Sequence, residues 1–306
     1  MEAVHVPILV QTISDHLLEP FLRLPAKAER HWFVDCTLGG GGHTAAILDK
    51  FEQVPELQKH CVLAVDRDPE AIERAKIRFA RQIEDGRLEL FHSSFGQIES
   101  MIRERPVLGL LADLGLSSDQ LESQERGFSF KSSGTLDMRF DTTRGLSCQD
   151  YLKRLSARDL EKIIKDYGEE RFAKRIAEAI VDRRNAGEFP QTASGLAELI
   201  RRAVPPPARH GRLHPATRTF QALRIFVNGE LEEVDALLDK VILDVRSGGR
   251  IGILSFHSLE DRRVKLRFKD RTLFRQLTKK PICPEIEEIH SNPRSKSAKL
   301  RLVERI

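Results

Sequence analysis

Long apolar runs are missing from this 306-residue chain, whose 40% hydrophobic and 31% charged residues suit a globular protein with an ample core. Nothing in it approaches the ~18 consecutive apolar residues of a membrane span, so no membrane partner is expected. The opening MEAVHVPILV lacks the basic start and apolar centre of a signal peptide and shows no mitochondrial presequence, which points to the cytoplasm. Cysteine is scarce: Cys36, Cys61, Cys148 and Cys283 stand far apart, with no CxxC pair. That excludes a zinc ribbon or a disulfide framework and fits a reducing compartment. No metal site is expected. Internal repeats and low-complexity tracts are absent as well. The net charge of +4 is modest, so its distribution matters more than its total.

What is present is an alternation of short apolar runs and helical patterns. Strands are expected at HWFVDC (31–36), CVLAVDRD (61–68), RLELFHSSF (87–95), VLGLLAD (107–113) and GGRIGILSF (248–256), with KLRLVERI (299–306) as an edge strand. Helices are expected over TAAILDKF, PEAIERAKIRFARQI, GQIESMIRE, ELEEVDALLDKVILDV and SLEDRRVKLRF. VLGLLAD is apolar throughout, as a strand covered on both faces should be. The alternation implies an α/β fold with a parallel, doubly wound sheet. From about Leu121 to Ile225 no strand pattern is found; helical stretches such as SARDLEKIIKDY follow a loop-like SFKSSGTLDMRFDTTRG. Ser156 with Asp159 reads as a cap and Gly168 as a stop. The expected organisation is a sheet domain over 1–120 and 226–306, with an all-helical insertion over 121–225 after the fourth strand.

DCTLGGGGHT (35–44) places four glycines directly after the first strand. In an open α/β sheet, ligands sit outside the carboxyl ends of the strands near that point, so a ligand against bare backbone is expected. The dinucleotide fingerprint GxGxxG fails, because Thr44 and Ala45 stand where its third glycine belongs. A P-loop fails too, since no Gly-Lys-Ser/Thr follows. Asp66, ending the second strand, can accept both hydroxyls of a ribose, while Asp68 is better placed to cap the next helix. A glycine loop without the pyrophosphate signature, beside a ribose carboxylate, suits a nucleoside cofactor without phosphate; S-adenosylmethionine fits. Phe95 is placed to stack on adenine or to fill core. Asp113 ends the fourth strand and points into the same cleft.

Ten motifs now stand in order: HVPIL (5–9), DCTLGGGGHT, AVDRDPEAI, HSSF, DLGLSSDQL, ERGFSF (125–130), LDMRFD (136–141), YGEERFAKRIAEAI (167–180), HPATRTFQALRIFVN (214–228) and SFHSLEDRRVK (255–265). Together they closely resemble the bacterial 16S ribosomal RNA (cytosine-N4)-methyltransferases, from about His5 to the C-terminus. The resemblance implies a Rossmann-like methyltransferase sheet with a helical insertion that recognises RNA. It implies methyl transfer from S-adenosylmethionine to a cytosine amine in the decoding region of small-subunit RNA. Carried over by residue, the cofactor contacts fall on Gly41, Gly42, His43, Asp66, Phe95, Asp113 and Gln120. The chain departs from the family's commonest Asp-Gly-Thr at Asp35-Cys36-Thr37, which is tolerable if Cys36 points away from the cofactor.

The chemistry requires water exclusion, alignment of amine with methyl, and an acceptor for the amine hydrogens. Many amino-methyltransferases place Asp/Asn-Pro-Pro-aromatic at the fourth strand; here Asp113-Leu114-Gly115-Leu116 has neither proline nor aromatic. Asp113 therefore orients the amine or contacts the methionine portion of the cofactor. Ser255 and His257 are candidates to line the cytosine pocket, against the alternative that His257 merely starts a helix. From Arg201 to Gly229 stand Arg201, Arg202, Arg209, Arg212, Arg218 and Arg224 with two histidines and no acid, which reads as a phosphate footprint. His214, Arg218 and Arg224 are the RNA-contact candidates there, and NPRSKSAKLR (292–301) is a second basic stretch. The partner is small-subunit RNA or the 30S particle, with the oligomeric state, homodimer included, left open. An NAD oxidoreductase, a non-catalytic RNA-binding assembly factor and an organellar version of the same enzyme are the alternatives.

Overall fold

The computed structural model describes residues 7–211 and 213–306. His5 and Val6 of HVPIL and Arg212 of the basic stretch lie outside the described residues. The chain divides into two compact units, one running up to Gly115 and resuming over Leu231–Ile306, the other Leu116–Glu230.

The first unit is a sheet of seven strands: β1 (Trp32–Asp35), β2 (Cys61–Asp66), β3 (Leu88–His92), β4 (Val107–Asp113), β5 (Arg250–Ser255), β6 (Phe274–Gln276) and β7 (Lys299–Arg305). Their order is β3-β2-β1-β4-β5-β7-β6. The first five are mutually parallel, as strands joined by helical crossovers must be. Alternate residues feed two apolar layers. Phe33, Val62 and Ala64 turn to one layer with Leu17, Phe21 and Phe51 of helices Val10–Leu22 and Gly42–Gln53. Val34, Leu63 and Val65 turn to the other, against Leu237 and Val264 of helices Glu230–Asp239 and Ser258–Arg267. In β4 the register slips, Trp32 pairing with Val107 but Phe33 with Gly109. Glycine is needed there because a Cβ would lie 2.5 Å from the Phe33 ring.

KLRLVERI is not an edge. As β7 it lies inside the sheet, antiparallel to both β5 and β6. The edge is β6, a three-residue strand too short to show a period of its own. PEAIERAKIRFARQI forms two helices, Pro69–Arg78 and Ala80–Glu84, interrupted at Phe79.

The second unit is helical, with Ser118–Glu122, Cys148–Arg154, Ala157–Gly168, Ala173–Asn185, Ala193–Ala203 and Thr217–Asn228 around its own core. The Ser156 hydroxyl caps Ala157–Gly168 by accepting the Asp159 N–H at 3.2 Å. Gly168 ends that helix for a different reason from the one expected: Glu169 takes the left-handed turn, while a Cβ on Gly168 would lie 2.6 Å from the Arg218 carbonyl. LDMRFD is held by Asn228, whose Oδ1 accepts from Phe140 N–H and whose Nδ2 donates to the Met138 carbonyl, each at 2.7 Å. No helix among the described residues is long and apolar enough to cross a membrane.

Candidate active site

Strands β1, β2 and β4 of the first unit end in aspartates, and the loops that follow β1 to β4 carry the candidate site. Asp35 ends β1 fully buried, and burial pushes its carboxyl above the ordinary range. Its Oδ1 accepts from Thr37 N–H at 3.0 Å and its Oδ2 from the Thr44 hydroxyl at 2.7 Å. The carboxylate thus ties both ends of the glycine loop to the strand. Cys36 is buried among Val34, Leu63 and Leu110 in the apolar layer, so its side chain is taken up by packing.

The glycines have more than one cause. Gly39 and Gly41 adopt φ of 52° and 75°, which glycine alone reaches without strain. A Cβ on Gly41 would lie 2.7 Å from the Phe79 ring, and one on Gly42 2.8 Å from Pro7. The Arg78 guanidinium donates to the Gly40 carbonyl. At 41 and 42 the protein's own side chains already occupy the space a Cβ needs.

Asp66 ends β2 and joins it to this loop. Its Oδ2 accepts from Gly39 N–H at 2.7 Å and its Oδ1 from Asp68 N–H at 2.8 Å. Burial nevertheless lifts its carboxyl to about 6, against the pull of those two donors. Each oxygen keeps a second lone pair, so the group retains the acceptors a ribose diol requires. Asp68 caps Pro69–Arg78 by accepting from Glu70 N–H at 3.1 Å.

After β3, Ser94 and Phe95 open a short turn in which Phe95 is half-buried against the apolar layer. Glu233 braces this turn, accepting from the Ser94 hydroxyl and, at 3.1 Å, from Gly96 N–H. A Cβ on Gly96 would lie 2.5 Å from the Glu233 carboxylate.

Asp113 ends β4, its N–H donating to the Thr37 hydroxyl at 2.7 Å. Its Oδ2 lies 3.5 Å from Nε2 of His43, a ring only 6% exposed. Burial presses the His43 pKa down, but the Asp113 and Asp35 carboxylates outweigh it and the value stands above the ordinary one. Asp113 Oδ1 and His43 Nε2 are buried without a hydrogen-bond partner. Such atoms are costly unless something else satisfies them. A buried acceptor without a partner, at the same end of the sheet as a carboxylate for a diol, matches the ammonium and ribose ends of S-adenosylmethionine. The residues present fit that group.

Gly41, Gly42, His43, Asp66, Phe95 and Asp113 are therefore brought to one end of one sheet. Gln120 belongs to the second unit, where it completes a capping box with Ser117 at the start of Ser118–Glu122. Ser255 is buried, its hydroxyl 3.4 Å from the Lys299 carbonyl, and so does not line an open pocket. His257 caps Ser258–Arg267 through Nδ1, with Nε2 3.1 Å from Glu260. Arg224 is not a free phosphate contact: its guanidinium grips buried Glu230 through two bonds of 2.7 and 2.8 Å. Arg201 and Arg202 share Glu198. Arg218 is exposed, with one N–H on the Glu169 carbonyl, and keeps its other donors for solvent or ligand. In the second basic stretch, Lys299 and Arg301 meet Asp261.

Thr37, Thr44 and Glu233 escape sequence reasoning. Glu233 lies 139 residues from Ser94, with no local pattern to mark it. The threonines sit within the glycine motif and are legible only once Asp35 is known to be buried between them.

A family model described as the MraW methylase family matches residues 2–306. The chain is 44% identical over 305 residues to ribosomal RNA small subunit methyltransferase H of a Cyanothece strain, covering 100% of this chain and 96% of the relative. It is 46% identical over 296 residues to the protein of that name from Caldicellulosiruptor bescii, covering 90% and 92%. The crystal structure of an rRNA methylase from Streptococcus thermophilus aligns at 12% identity and a TM-score of 0.40, covering 100% of this chain and 99% of that one.

Proposed function

This chain belongs to the MraW methylase family, and from that premise we propose that it methylates the N4 amine of a cytosine in small-subunit ribosomal RNA, using S-adenosylmethionine. The supporting observation is the pairing of an acceptor for a ribose, Asp66, with an unsatisfied buried acceptor, Asp113 Oδ1, at the ends of the two parallel strands that flank β1.

When bound, the cofactor supplies an activated sulfonium methyl for in-line displacement. The protein's share is binding, orientation and proton acceptance. Asp66 takes the ribose hydroxyls with the lone pairs left over from Gly39 and Asp68. Phe95 offers its half-buried ring to the adenine, on a turn held still by Glu233. The carboxylates of Asp35 and Asp113 set a negative potential that suits a ligand carrying an ammonium and a sulfonium. His43 Nε2 faces Asp113 and fixes which carboxylate oxygen remains for the ligand. Asp113 Oδ1 then accepts a hydrogen from the methionine ammonium or from the cytosine amine.

Those two roles separate experimentally. With Asp113→Asn, a weaker cofactor Kd with turnover intact at saturation assigns the residue to binding. A lowered turnover at saturation assigns it to the amine. The function itself is tested by mass-spectrometric mapping of small-subunit RNA from cells with and without the gene. One N4-methylated cytosine is expected to disappear, and in vitro transfer to protein-free RNA or to 30S particles identifies the substrate form. An unchanged methylation map would retire the proposal.

A further inference from the structure

Within the helical unit, the rings of Phe130 and His214 lie 4.5 Å apart and only 6° from parallel. Phe220, buried on helix Thr217–Asn228, meets Phe130 edge-on at 89° and closes that side of the pile. Both stacked rings are half-buried rather than enclosed. The other near-parallel pair among the described residues, Phe128 with Phe140 at 26°, is buried in the core. A flat two-ring pile open to solvent is therefore set apart from the tilted packing elsewhere in the chain.

An exposed leucine and exposed cations neighbour the two rings along the chain. Leu213, beside His214 in sequence, is 61% exposed. Lys131, next to Phe130, and Arg218, on the helix that follows His214, are exposed, while Arg202 is held by Glu198. The His214 Nδ1 accepts from Ala216 N–H at 3.2 Å, so in the neutral ring Nε2 carries the proton and remains a donor. Burial first, then Arg201, hold that ring below its ordinary pKa against the opposing pull of Glu198, so it is neutral at physiological pH.

We propose that Phe130 and His214 form a stacking platform for an unpaired base of the substrate RNA, distinct from the reacting cytosine. The inference rests on the ribosomal RNA reading above. The base extends the pile on the His214 side, its neighbouring phosphates meet the exposed cations, and Nε2–H donates to a base edge or a phosphate oxygen. Aromatic platforms flanked by cations are the general solution for holding unpaired nucleic acid, since every base offers a π-face.

The experiment is a binding titration with the small-subunit RNA fragment spanning the methylated cytosine, repeated with single abasic substitutions along it. His214→Ala is expected to weaken the intact RNA by roughly tenfold or more, and Phe130→Leu to weaken it in the same direction. His214→Phe, which keeps a ring, should stay within about threefold of the parent. One abasic position should weaken the parent protein by a similar factor yet weaken His214→Ala no further. Melting temperature and S-adenosylmethionine affinity establish that each variant is folded. Equal RNA affinity for His214→Ala and parent would overturn the proposal, as would abasic penalties that persist unchanged in the variant. A loss seen with 30S particles but not with protein-free RNA would also overturn it, because the rings would then meet a ribosomal protein. Any of these leaves methyl transfer by the parent intact, whereas failure of the parent to methylate any small-subunit RNA or particle would refute the function and not the platform.

Discussion

Asp66 makes cofactor affinity depend on pH by an amount that follows from its surroundings. Burial raises its carboxyl to about 6 even though Gly39 and Asp68 donate to it. A protonated acid has lost an acceptor site, so only the carboxylate can take both ribose hydroxyls. The apparent Kd then scales as 1 + 10^(pKa − pH), which is roughly 1.1 at pH 7, 2 at pH 6 and 11 at pH 5. The expected weakening from pH 7 to pH 5 is about tenfold, or ~1.4 kcal/mol. His43 also gains charge as the pH falls, its pKa being raised by Asp113 and Asp35 over the opposing effect of burial. The Asp66→Asn variant separates the two, because it binds more weakly at pH 7 and keeps only the slope that His43 contributes. Isothermal titration calorimetry with S-adenosylmethionine between pH 5 and 7.5 reads both proteins. Identical pH slopes for the two would refute the reasoning.

Other predictions concern single residues. Gly41→Ala places a Cβ 2.7 Å from the Phe79 ring on a backbone with φ 75°, and should cost about 1–2 kcal/mol in denaturant unfolding. His60 is buried between Phe21 and Phe51 with its Nδ1 accepting from His31 N–H, and burial first, then His31, Lys59 and Arg87, lowers its pKa to about 4. Its unfolded form binds a proton first, so stability is complete above pH ~6.5 and falls by about 3 kcal/mol as pH drops toward 4; His60→Leu should remove that slope. Arg224→Ala leaves the buried Glu230 carboxylate without its main partner and should cost roughly 3 kcal/mol, read as a lower melting temperature, with the salt dependence of RNA binding unchanged. Arg218→Ala should do the opposite, sparing stability and reducing the salt slope of RNA binding by about one phosphate.

The sheet was legible because its strands are short apolar runs between helical patterns, and the candidate site because a glycine loop, Asp66 and Asp113 follow or end such runs. The edge was not: β7 has the alternation of an outer strand, and nothing local shows that three residues at Phe274–Gln276 cover it. The glycine motif was legible as a loop that needs bare backbone, but only part of the cause is local. Phe79 and Pro7, far from it in sequence, are what Gly41 and Gly42 make room for. Arg224 illustrates the limit of counting charge, since its partner Glu230 stands just beyond the acid-free stretch and takes it out of the basic surface. His257 shows the same limit for a residue type that caps helices as readily as it binds ligands. Residues that act through their immediate neighbours can be read from a sequence; those fixed by a distant carboxylate cannot.

The account is tested most directly by a crystal structure of the protein grown with S-adenosylmethionine. It predicts the ribose hydroxyls on the Asp66 carboxylate, the adenine beside Phe95 and the methionine end against Asp113 Oδ1, with the loop of Gly39 to Gly42 underneath. Density for the cofactor elsewhere, or an empty cleft at saturating concentration, would contradict it.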